Sequence, residues 1–69
     1  MNKEIIFLVE EDTEGGFTAK ALDHAIFTEA ESLAELKAMT RDAVRCHFDE
    51  VDRPPVIRLH IVKDEVIPA

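Results

Sequence analysis

The feature that most constrains this chain is a single stretch of helical periodicity flanked on both sides by segments that alternate with period two. The stretch opens on Ser32-Leu33-Ala34-Glu35, a capping box in which the Ser32 hydroxyl can accept from the amide at 35 and Glu35 can reach back to the amide at 32. At 100° per residue, Leu33, Leu36, Thr40, Ala43, Val44, His47, Phe48 and Val51 then share one face, with Met39 at its edge. Glu35, Asp42, Arg45 and Asp49 fall opposite. That pattern predicts one amphipathic helix running to about Asp49–Val51, stopped by Arg53-Pro54-Pro55. A lone helix with one apolar stripe must lie on something, and the flanking segments supply a sheet.

Ile5-Phe7-Val9 alternates with Ile6-Leu8-Glu10, a strand apolar on both faces at its start. A polar break, Glu10-Glu11-Asp12-Thr13-Glu14-Gly15-Gly16, suits a hairpin turn. Phe17, Ala19 and Ala21 form a second strand, Asp23-His24-Ala25 a turn, Ile26–Glu29 a brief third strand, and Val56–Val62 a last one with Ile57, Leu59 and Ile61 on one face and Arg58 and His60 on the other. The order is β-β-β-α-β. The expected architecture is α+β, one helix packed on one antiparallel sheet, in a single domain over residues 1–69. One helix covers one sheet face only. The other face, carrying Ile6, Leu8, Thr18, Leu22, Arg58 and His60, and the apolar tail Val66-Ile67-Pro68-Ala69 favour packing against a neighbour, so a homodimer or higher oligomer is expected.

Sixty-nine residues leave no room for a deep cofactor pocket, a dinucleotide fold or a barrel, and no cofactor is expected. The longest uncharged apolar run, Ile5–Val9, is too short to span a bilayer, and Met1-Asn2-Lys3-Glu4 lacks the n- and h-regions of a signal peptide. With a single cysteine, Cys46, these features point to the cytoplasm. The net charge is −7, and residues 1–35 hold nine acids against two bases, while the rest holds six of each. A surplus of this sign repels phosphate and argues against direct nucleic-acid binding. It attracts a basic partner instead.

Read for chemistry, the chain offers little. Asp23-His24 is a carboxylate–imidazole pair in sequence, but turn neighbours point apart and no nucleophile accompanies them, so a minimal hydrolase is the weakest reading. Cys46-His47 with His60 has the donors of a metal site but not the spacing, and His47 is expected to be a hydrogen-bonded core histidine. Cys46 is expected to pack beside the stripe or at an interface. Glu10, Glu11, Asp12 and Glu14 crowd one loop, a poor arrangement for a metal active site, which gathers carboxylates from several elements. Lys37, Arg41 and Arg45 make a basic flank at i, i+4 and i+8, expected to be solvated.

The run Glu14-Gly15-Gly16-Phe17-Thr18-Ala19, then Asp23, Thr28 and Ser32-Leu33-Ala34-Glu35-Leu36, resembles the N-terminal domain of HicB-like antitoxins over roughly residues 4–62. The resemblance implies a partial ribonuclease-H-like fold of β-β-β-α-β order. It also implies a partner, a small basic mRNA-cleaving ribonuclease toxin whose RNA surface the acidic antitoxin covers. The turn Leu22-Asp23-His24-Ala25-Ile26-Phe27 departs from the family's Pro- and Gly-containing turn. The family's ribbon-helix-helix or helix-turn-helix module has no counterpart here, so autorepression is not carried over. The expectation is a stand-alone, non-catalytic binding module. Its partner-binding residues are expected to be Glu10, Glu11, Asp12, Glu14, Asp23 and Glu29. The alternative is a self-associating structural or regulatory module without a toxin.

Overall fold

The computed structural model describes residues 3–69. Strands β1 (Glu4–Glu11), β2 (Phe17–Ala21) and β3 (Phe27–Ala30) precede helix α1 (Leu33–His47), and β4 (Val56–Val62) follows it. The sheet order is β3-β2-β1-β4. The β-β-β-α-β order and the helix-on-sheet layering are those expected from the periodicities.

The sheet is mixed rather than antiparallel. β1–β2 and β2–β3 are antiparallel, but β4 pairs parallel with β1, Ile5 opposite Ile57 and Val9 opposite Ile61. The reason is the return path. Two hairpins leave β3 running with β1, α1 brings the chain back, and β4 must then run in the direction of β1. Parallel neighbours need such a helical crossover, whereas a hairpin suffices for antiparallel ones.

The β1–β2 hairpin turns through Gly15 and Gly16, both at positive φ (96° and 93°), a region costly for residues with a Cβ. Asp12 closes the turn. Its amide donates to the Gly16 carbonyl at 2.9 Å and its carbonyl accepts from the Gly15 amide at 3.0 Å. The third strand begins one residue later than the alternation suggests. Ile26 sits in the preceding turn, buried, its amide donating to the His24 carbonyl and its own carbonyl accepting from the Ala21 amide.

The core is one layer. Ile5, Phe7 and Val9 of β1, Ala19 and Ala21 of β2, Ile26, and Leu36 and Val44 of α1 are buried together. Thr28 and Thr40 are the buried polar residues, and they satisfy each other with a hydroxyl–hydroxyl bond of 3.0 Å. α1 lies over β2 and β3. Ile57 and Leu59 of β4 are therefore only half covered, although their register puts them on the helix side of the sheet. On the opposite face Arg58 grips Glu4 of β1 through Nε and Nη2 at 3.0–3.2 Å. The carboxylate raises the Arg58 pKa by hydrogen bonding first and by charge second.

Helix α1 ends earlier than the apolar pattern suggests. Phe48 is its C-cap, in extended conformation, so Val51 is not on the buried face but 93% exposed. Two physical terms stop the helix here. Asp49, Glu50 and Asp52 would place negative charge at the negative end of the helix dipole. Phe48 is also held by rings, edge-on to His24 and to His47, each at 4.9 Å between centroids. His47 is consequently an exposed ring in that cluster, not a hydrogen-bonded core histidine. Cys46 is an exposed free thiol.

Candidate functional site: an acidic cleft at the hairpin end of the sheet

The β1–β2 turn and the β3–α1 junction meet at one end of the sheet. Between them lies an open cleft of about 380 Å³, lined by Asp12, Gly15, Gly16, Phe17, Thr18, Glu29, Ala30, Glu31 and Glu35. Four carboxylates from two separate segments border it. Each is there for a local reason. Asp12 is the turn residue, its Oδ1 accepting from the Glu14 amide at 3.2 Å and from the Thr13 hydroxyl at 3.5 Å. Glu29 occupies the outward position of β3, opposite Thr18. Glu31 precedes the N-cap. Glu35 lies in the first turn of α1, where Ser32 Oγ accepts from its amide at 3.1 Å. Carboxylates in that position are favoured by the helix dipole, which offsets part of their mutual repulsion.

The floor of the cleft is backbone and small side chains. A Cβ built on Gly16 would stand 3.3 Å from the Ala30 carbonyl oxygen, so glycine lets the turn approach β3 closely. Phe17, half-buried, gives the floor its apolar part.

Of the six residues singled out from the sequence, Asp12 and Glu29 line the cleft. Glu14 is in the same turn, bonded through its amide to Asp12. Glu10 and Glu11 close the exposed end of β1, and Glu10 stands opposite Thr18, which in turn stands opposite Glu29. Asp23 is not brought to them. It lies at the far end of the sheet, in the β2–β3 turn, beside the His24–His47–Phe48 rings. Glu31 and Glu35 are the residues that pattern reading missed. The capping box accounted for Glu35 without a second role, Glu31 drew no reading beyond the acid count, and the sequence does not display that the hairpin folds over that helix end.

The cleft's chemistry is that of clustered negative charge. Among the described residues the only ion pair is Arg58–Glu4, so none of these four carboxylates is ion-paired with a described cation. Among the described residues, too, no group of three or more His, Cys, Asp or Glu is close enough to hold a metal ion. Carboxylates that are neighbours but do not converge suit several separate cationic groups on a surface better than one ion. His24, at the other end of the sheet, packs on Phe48 and His47. Among the described residues no helix is long and apolar enough to cross a membrane.

Fold and site together define a small α+β domain with a negatively charged end. No family model and no solved structure matches the chain. It is similar to a UPF0150 protein of Thermotoga maritima, 42% identical over 65 residues, 94% of this chain and 91% of that protein. A UPF0150 protein of Archaeoglobus fulgidus is 64% identical over 50 residues, 72% of this chain and 74% of that protein. The chain belongs to the UPF0150 family.

Proposed function

We propose that this chain is a non-catalytic binding module of the HicB-like antitoxin type, which covers the RNA-binding surface of a small basic ribonuclease. The observation that carries this reading is the cleft itself. Asp12, Glu29, Glu31 and Glu35 come from two segments, make no ion pair among the described residues and border an open surface that includes Phe17. A ribonuclease that holds mRNA by lysines and arginines presents the complementary surface. The β-β-β-α-β order and the Gly15-Gly16-Phe17 hairpin agree with the family resemblance. On this reading the module works in the cytoplasm, where mRNA is found and an exposed thiol such as Cys46 stays reduced.

Its test is co-purification from the native host at low and high salt, with the product of any adjacent reading frame identified. The expected result is a small basic ribonuclease held at low salt and released as salt screens the contact. Recovery of this chain with no ribonuclease at either salt overturns the reading.

Self-association without a ribonuclease is the second reading. It is favoured by the large apolar side chains left bare along β4 and in the tail, Val56, Ile61, Val66 and Ile67.

A further inference from the structure

On the other side of α1 from the acidic cleft runs a second concavity, of opposite character. It is a groove between the helix flank and the helix-side face of β4, lined by Lys37, Thr40, Arg41, Pro55, Ile57, Leu59 and Ile61. Its walls are apolar along β4 and basic along α1. It exists because α1 covers β2 and β3 and leaves β4 uncovered. One residue beyond β4 begins a segment of the complementary kind, Lys63-Asp64-Glu65-Val66-Ile67-Pro68-Ala69. Val66 is 95% and Ile67 81% exposed, and the molecule measures 51 Å along its longest axis against 22 and 17 Å across.

We infer that this groove is the docking site for the 64–69 segment of a second copy of the chain, Asp64 and Glu65 meeting Lys37 and Arg41 while Val66 and Ile67 cover Ile57, Leu59 and Ile61. The inference rests on the self-association reading and is independent of the acidic cleft, with which the groove shares no residue.

Three observations point to a second copy. The charges match in sign at the place where they would meet. The apolar parts are similar in length, since the four residues 66–69 span about 13 Å when extended and the five from Ile57 to Ile61 about 16 Å. The chain's own tail is badly placed to enter its own groove. It leaves β4 at Val62 and would have to reverse over its own strand within Lys63-Asp64-Glu65, which contains no glycine or proline to make the turn. Two copies set end to end, their β4 strands antiparallel and their tails overlapping, have no such difficulty. Each tail leaves Val62 at the Ile61 end of the partner's groove and runs along it toward Pro55, and the reciprocal exchange closes a two-fold dimer.

The exchange makes a charge-swap test possible. One variant carries Lys37→Glu and Arg41→Glu, the other Asp64→Lys and Glu65→Lys. All four positions are exposed, so folding should survive, and circular dichroism checks that it does. Sedimentation equilibrium on the wild-type chain should give twice the 7.8 kDa of the monomer. Each variant alone sets like charges in both contacts and should sediment as a monomer. Mixed one to one, each tail finds a groove of opposite sign, and the dimer should return. As an independent arm, Val66→Asp with Ile67→Asp should also give a monomer. A mixture that stays monomeric, as docking within one chain requires, overturns the proposal. Wild-type dimers that survive in either charge variant alone overturn the tail-in-groove arrangement but leave self-association standing. A wild-type chain monomeric at every concentration overturns self-association itself.

Discussion

Thr28 and Thr40 face each other across the seam between β3 and α1, and their single shared bond satisfies both buried hydroxyls. Removing one partner strands the other in an apolar setting, while removing both does not. Thr28→Val and Thr40→Val should therefore each cost about 1–3 kcal/mol. The double change Thr28→Val with Thr40→Val should recover most of that loss, and urea unfolding of the three variants measures it. Two single losses that simply add would contradict the pairing. The hairpin glycines make a second residue-scale contrast. Both have positive φ, but only Gly16 has a neighbour, the Ala30 oxygen 3.3 Å from a built Cβ. Gly15→Ala should cost about 1–2 kcal/mol from backbone strain, and Gly16→Ala more, in the same unfolding measurement. The need for glycine at this turn was legible in the sequence, because a polar break ending in Gly-Gly calls for positive φ. The threonine pair was not. Thr40 reads as one more residue on an apolar stripe, and only the angle at which α1 crosses β3 sets it against Thr28.

At the scale of elements, the structure departs from the pattern at the C-terminal end of α1. The 100° rule carries the apolar face through His47 and Phe48 to Val51 because it counts side chains and not end charges. Asp49, Glu50 and Asp52 and the His24–His47–Phe48 rings decide the end instead. Leu36→Ala should cost about 2–5 kcal/mol, as core truncations do. Val51→Asp, at a residue the helical pattern also puts on the buried face, should change stability by less than about 0.5 kcal/mol. A large loss at Val51 would mean that the helix continues. At the other end the capping box is half fulfilled in the expected way, Ser32 accepting from Glu35, and Ser32→Ala should cost about 1 kcal/mol. Strand positions were legible to within a residue, since alternation is local. Strand direction was missed at β4, because it depends on counting reversals of the chain: two hairpins and one helical return make it parallel to β1.

For the whole molecule, the surplus of acids in the first 35 residues becomes a surface with a place. The sequence located the charge, and the hairpin carboxylates Asp12 and Glu14 were legible as its front. Its concentration was not legible, because Glu31 and Glu35 are brought opposite Asp12 only by the fold, and Asp23, equally acidic, is carried to the far end. A charged end facing one partner and an apolar groove facing another would let the module dimerise and bind at once. The proposed contact is tested most sharply by amide chemical-shift mapping of the labelled chain titrated with any basic ribonuclease that co-purifies with it, repeated with Glu29→Lys and Glu31→Lys. Shifts confined to residues 12–18 and 29–35 are expected, with binding at least about tenfold weaker in the charge-reversed chain, as loss of a complementary charge contact implies. Shifts centred on β4 or on the Asp23 turn, or binding indifferent to the reversal, would contradict the proposed contact.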